Sequence, residues 1–133
     1  MKFNISTKQV NDTSILHLRD PETDTLMYAD EAETQPLQIV MYGKGSKQYR
    51  DALSGLARKN MIRKNKQQSF ETNVADNVEI LAAISKVAVN FDQDGVAIDN
   101  TDEFKKLYSN PSLFWVKEQI QEQLDDTAAF LQK

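Results

Sequence analysis

Two stretches of this chain carry residue types at spacings that could do chemistry. The first, IVMYGKGSKQYRDAL over residues 39–53, runs from an apolar segment through Gly43, Lys44, Gly45, Ser46 and Lys47 into a helical pattern. Strand, Gly/Lys/Ser loop, then helix is the order of a phosphate-binding loop, whose backbone N–H groups and lysine surround the anion. That motif needs a four-residue gap between its glycines so that the backbone can curl. Here Lys44 alone separates Gly43 from Gly45, so the stretch reads as a strand-to-helix turn with Ser46 as N-cap. A looser anion site at that helix start is the weaker alternative.

The second stretch is NFDQDGVAIDNT, residues 90–101. Laid on a calcium-binding loop, Asn90, Asp92 and Asp94 take the first three ligand positions and Gly95 the sharp turn. The closing bidentate Glu is missing, because Thr101 stands there. An Asp-Gly turn joining two helices is therefore the expectation, with no metal. His17 is the sole histidine and lies mid-strand, so it cannot form a two-histidine metal site and has no Ser or Asp placed for a triad. It reads as a strand residue facing solvent or a neighbour. Glu118 and Glu122 stand one helical turn apart, with Asp125 and Asp126 after them, and read as a solvated face. The chain has no cysteine, which excludes disulfides, thiolate metal sites and cysteine nucleophiles. These residues point to no catalytic group and no cofactor, and the chain is expected not to be an enzyme.

Charge is the third feature. The net charge of −4 is unevenly spread. Residues 20–43 hold six acids and no Lys or Arg, whereas residues 44–66 hold eight bases and only Asp51. In RKNMIRKNK, Arg58, Lys59, Arg63 and Lys64 fall partly on one helical side, where they could meet phosphates, meet an acidic protein surface, or complement a helix dipole. No aromatics interleave with them and the pI is near 5.0, which argues against nucleic acid and leaves an acidic protein surface or a solvated helix end. Further on, LFWV (113–116) sets Phe114 and Trp115 beside Leu113 and Val116. Four large apolar residues in a row cover most of a helix turn, so either a second element covers them or they offer a patch to a partner.

The elements that must position these residues follow from periodicity. SILHLRD and PLQIVMY are short apolar runs bounded by turn formers, and TLMY could return after Asp20-Pro21 as a hairpin arm. In PLQIVMY, Leu37, Ile39 and Met41 alternate with Gln38, Val40 and Tyr42, as in a strand with one face on a core. Beyond Ser46, Tyr49, Leu53, Leu56 and Met61 form an imperfect helical stripe. A second helix is expected from about Glu71 to about Asn90, with Val74, Val78, Leu81, Ile84 and Val87/Ala88 inward. Asn100 with Glu103 has capping-box spacing for a third helix that stops at Asn110-Pro111. Asn110 and Pro111 then open a fourth, with Leu113, Val116, Ile120, Leu124, Ala128 and Leu131 as its stripe over some six turns. The expected class is α+β: one domain over residues 1–133, a small N-terminal β-hairpin or sheet in 1–43 and three to four helices in 44–133. A chain of this length, with 40% hydrophobic residues, can bury a core. No apolar run approaches the ~20 residues needed to cross a bilayer. MKFNISTKQVND has no apolar centre or small-residue cleavage site, so no signal peptide is expected.

Taken in order, ILHLRDPETDTLMY, IVMYGKGSKQYRDAL, a basic helix, an Ala-rich helix, FDQDGVAIDN and NPSLFWVKEQIQEQLDDTAAFL resemble the tail assembly chaperones of long-tailed bacteriophages and prophages. In that resemblance Gly43, Ser46, Tyr49 and Arg50 match a G-x-x-S-x-x-Y-R helix start, and Asp94-Gly95 an Asp-Gly turn. Pro111, Trp115, Gln119, Ile120, Phe130 and Leu131 match the late helix and its tail. The similarity spans about residues 14–132. It implies a non-enzymatic factor of the host cytoplasm that coats the helical tape measure protein and keeps it soluble while tail tube subunits polymerise around it. It also implies absence from the mature virion, and a frameshifted longer form that would recruit tail tube protein. A structural tail or head–tail connector subunit is the alternative. A homo-oligomer is compatible with either, and no membrane or nucleic acid is expected. The residues expected to meet the partner are Arg58, Lys59, Arg63 and Lys64 through charge, and Phe114, Trp115, Ile120 and Leu124 through apolar contact. The basic 58–66 segment departs from the family pattern and leaves the partner's charge open.

Overall fold

A computed structural model describes residues 2–62 and 70–132. The chain is α+β. Strands β1 (Thr13–His17), β2 (Gln38–Tyr42) and β3 (Ser85–Val89) form an antiparallel sheet in the order β1-β2-β3. Helices α1 (Lys47–Ile62), α2 (Phe70–Ala83), α3 (Thr101–Ser109) and α4 (Phe114–Asp125) accompany it, and β4 (Asp92–Gln93) pairs with β5 (Val96–Ala97) in a separate ribbon. The alternation read in β2 holds: Ile39 and Met41 are fully buried, while Gln38, Val40 and Tyr42 are half-buried. The inner sheet face, with Leu16, Leu18, Ile39 and Met41, packs in one core with Leu81 and Ile84, Phe104 and Leu107 of α3, and Val116, Ile120 and Leu124 of α4.

The second helix stops well short of Asn90. It ends at Ala83, and residues 85–89 pair with β2 as Gln38↔Val89, Ile39↔Ala88 and Val40↔Val87. The apolar spacing fits either state, but β-branched Val87 and Val89 suit a pleated surface, and β2 offers the ladder. Ser85 marks the change. Its hydroxyl donates to the Leu81 carbonyl at 2.7 Å and meets the Tyr108 hydroxyl at 2.6 Å, both in the core. Burial there pushes the Tyr108 phenol well above its usual pKa. The Asp-Gly turn also differs from expectation. Asp94 (φ 53°) and Gly95 (φ 82°) are both left-handed, the signature of a two-residue hairpin turn, and they connect β4 to β5 rather than two helices.

TLMY forms no full strand. Arg19↔Leu26 and Tyr28↔Pro36 are single bridges, and Leu18, Met27 and Leu37 share backbone bonds of 2.9–3.0 Å in a three-way junction. Asp30 organises the loop beyond: its carboxylate accepts from the N–H groups of Thr34 (3.0 Å) and Gln35 (2.9 Å) and from the Thr34 hydroxyl.

The C-terminal helix is shorter than its stripe suggested. Asn110 caps a 3-10 turn over Pro111–Leu113, then α4 runs to Asp125. Asp126 accepts from the Ala128 N–H at 3.1 Å and starts a second 3-10 turn, Thr127–Phe130. A short carboxylate that bonds nearby backbone favours such a break. Phe130 therefore enters the core, and Ala128 is exposed. This C-terminal layer also closes the free edge of β1. Val10 bridges to Leu131, and the Ser14 hydroxyl donates to the Ala129 carbonyl at 3.0 Å while accepting from Gln123 at 2.9 Å. The Gln119 amide accepts from Arg19 N–H and donates to Arg19 C=O, both at 2.8 Å, as a neighbouring strand would.

Candidate partner-binding surface

The Gly/Lys/Ser loop and the Asp-Gly turn both serve the fold. Ser46 is fully buried; its Oγ accepts from Tyr49 N–H at 3.1 Å and donates to the Gly43 carbonyl at 2.7 Å. The hydroxyl is committed to capping α1. Gly43 is needed because the Phe130 ring lies against it: a Cβ there would stand 2.7 Å from two ring carbons. Asp92 accepts from the Gly95 N–H at 3.2 Å inside the hairpin, and no cluster of three or more metal-ligating side chains occurs among the described residues. His17 is half-buried, its Nε2 donates to the Met27 carbonyl at 2.8 Å, and its ring meets Tyr28 edge-on with centroids 5.0 Å apart.

The eight expected contact residues separate into four groups. Arg58 and Lys59 are exposed on α1, where Lys59 pairs with Glu79 of α2 and Lys105 of α3 approaches the same carboxylate at 3.9 Å. Arg63 and Lys64 lie outside the described residues. Ile120 (0% exposed) and Leu124 (5%) belong to the core, because the inward face of α4 packs on the sheet; on the folded chain neither can meet a partner. Phe114 and Trp115 do lie together at the surface. Phe114 is 55% exposed, and Trp115 is half-buried against the core. The α1 stripe is a further correction. The helix has no buried residue: Tyr49 and Leu56 are half-buried, while Leu53 and Met61 face solvent with Ile62.

Phe114 stands at the mouth of an apolar groove of about 450 Å³ between α2, the end of α3 and the start of α4. Val74, Ala75 and Val78 line it from α2, Tyr108 and Pro111 from the α3–α4 junction, and Lys117 from α4. Local sequence explains the opening. Pro111 and the 3-10 turn after Asn110 separate the end of α3 from the start of α4, and Phe114, the first residue of α4, stays 55% exposed beside the groove. On the other side of Phe114 lies a cleft of about 290 Å³ bordered by Trp115, Asp20, Asp24, Glu118 and Glu122, with Arg19. Phe114 is thus the ridge between an apolar groove and an acidic cleft. The groove's α2 wall was missed in the sequence. Val74 and Val78 carry i, i+4 spacing that assigns both to the core; Val78 is buried there, while Val74 is half-buried and lines the groove.

The arrangement can hold an apolar side chain or the stripe of a helix. No protein-family model, curated protein or solved structure matches the chain. No helix among the described residues is long and apolar enough to cross a membrane.

Proposed function

We propose that the chain is a non-enzymatic tail assembly chaperone of a long-tailed bacteriophage or prophage, which binds the helical tape measure protein in the host cytoplasm and keeps it soluble until tube subunits enclose it. The observation that carries this reading is the apolar groove beside exposed Phe114, lined by α2, α3 and α4. A groove of this kind suits the helix-in-groove mode, in which an amphipathic helix buries its apolar face between helices. The residue resemblance over about 14–132 supports the same reading. A frameshifted longer form that recruits tail tube protein belongs to it as well.

The test is affinity capture of the tagged chain from cells producing phage, with mass spectrometry of what is bound. A long helical tape measure protein is expected with the native chain and is expected to be lost with Phe114→Glu, a change at an exposed position that leaves the core intact. Recovery of the chain in purified particles beside tube or connector subunits would overturn the chaperone reading in favour of a structural tail or head–tail connector subunit.

A further inference from the structure

The groove and the acidic cleft share one wall, and their chemistries differ. On the groove side, α4 presents Phe114 and then Lys117; on the cleft side it presents Trp115, Glu118 and Glu122, facing Asp20 and Asp24 of the loop after β1. Glu118, Glu122 and Lys117 make no ion pair among the described residues. Asp20 bonds its own loop N–H groups, and the Arg19 guanidinium donates to the Asp24 carbonyl at 3.2 Å. The cleft therefore holds four carboxylates against one guanidinium, and two of the carboxylates lie one helical turn apart on a rigid element.

We infer that the surface across Phe114 takes a cationic amphipathic helix of the partner, with its apolar stripe in the groove and a row of Lys or Arg over Glu118 and Glu122. Two observations choose this occupant. An apolar groove with an exposed aromatic at its lip favours a stripe over a polar loop. The unpaired glutamates along one flank favour bases on that flank, while Lys117 disfavours them on the other, so the charge belongs on the cleft side. Trp115 and Phe114 can also stack against incoming Lys or Arg stems and heads. This rests on the chaperone reading only for the partner's name; the preference for charge belongs to the surface itself.

The chain's single tryptophan borders the cleft, so it reports binding directly. The full chain would be titrated with three Trp-free peptides of ~20 residues, long enough to form helix. They share one leucine stripe and differ in Lys, Glu or Gln flanks. The Lys-flanked peptide is expected to shift Trp115 emission and to bind at least about tenfold more tightly than the Glu-flanked one, a gap that narrows in ~0.5 M salt. The double change Glu118→Lys/Glu122→Lys, at exposed positions without ion pairs, should abolish or invert that preference. Phe114→Ala should weaken every peptide, and Glu31→Lys/Glu33→Lys, outside the cleft, should leave the preference in place. Equal or tighter binding of the Glu-flanked peptide would overturn the inference, as would a preference indifferent to Glu118→Lys/Glu122→Lys or lowered equally by Glu31→Lys/Glu33→Lys. So would self-association of the free chain broken by both Arg58→Glu and Glu118→Lys, since a second copy's α1 would then fill the site. Tape measure capture without a charge preference would remove the inference and leave the chaperone reading standing. A charge preference without tape measure capture would do the reverse.

Discussion

Gly43 and Ser46 look like parts of a phosphate loop and act as parts of a joint. Replacing Gly43 by alanine would drive a methyl into the ring of Phe130, which is buried and has little room to move. Gly43→Ala is expected to lower stability by about 1–3 kcal/mol in urea denaturation, and Phe130→Leu in the same chain should recover part of that loss. Ser46 was legible as a cap from its position before a helical stripe. The need for Gly43 was not legible, because its cause is a side chain at the opposite end of the sequence. Asp30 gives a second residue-level outcome. The Thr34 hydroxyl, with the N–H groups of Gln35 and Thr34, holds its carboxyl below the usual 3.8. A depressed folded pKa contributes stability that is present above 3.8 and lost as pH falls through the lower folded value. Asp30→Asn should therefore flatten the fall of Tm between neutral pH and about pH 3, a small change because the group is exposed.

At the scale of elements, α1 stands apart. It is a regular helix of 16 residues without one buried side chain; half-buried Ala52, Gly55 and Leu56 face α2, and half-buried Tyr49 packs against the core. Few buried contacts mean a low free energy of local opening. Amide hydrogen exchange is expected to run faster across Ala52–Ile62 than across Val78–Ala83 of α2, and Lys59→Ala should widen the difference by removing the tie to Glu79. Equal protection of the two helices would contradict this. The strands and helices differ in how far the sequence betrayed them. β2, the start of α1 and the limits of α3 followed from alternation, a cap and a proline. β3 did not, since AISKVAVN satisfies a helical stripe as well as a strand, and only the partner strand β2 decides between them. The break at Asp126 was hidden in the same way. Ala128 and Leu131 continue the apolar rhythm of α4, but the carboxylate's bond to the Ala128 N–H ends the helix first.

For the whole molecule, the helices cover one side of the sheet and, among the described residues, leave the other open. The cross-strand row Ile15–Val40–Val87 lies on that open side, with Ile15 56% exposed. Three strands of five residues make a face of roughly 17 by 14 Å. That is well short of the about 800 Å² per partner of a stable interface. Ile15→Lys is accordingly expected to leave the sedimentation behaviour of the chain unchanged, whereas changes around Phe114 should govern binding. The surface around Phe114 was half legible. Phe114 and Trp115 stood out as more apolar surface than one helix turn needs, but the acidic flank lay hidden because Asp20 and Asp24 meet Glu118 and Glu122 only through the fold.

The closed edge of β1 has a consequence for how the chain comes into being. Ser14 and the Ala129 carbonyl it bonds are 115 positions apart, and Val10 waits for Leu131. On the ribosome, β1 can find β2 early, yet its outer rim stays open until Ala129 and Leu131 emerge. An open strand rim is a template for other chains. A chain cut after Asp125 should keep most of its helical circular dichroism while scattering more light as concentration rises. The last seven described residues, Asp126–Gln132, would then serve as the seal that turns a nascent, self-adhesive sheet into a finished one.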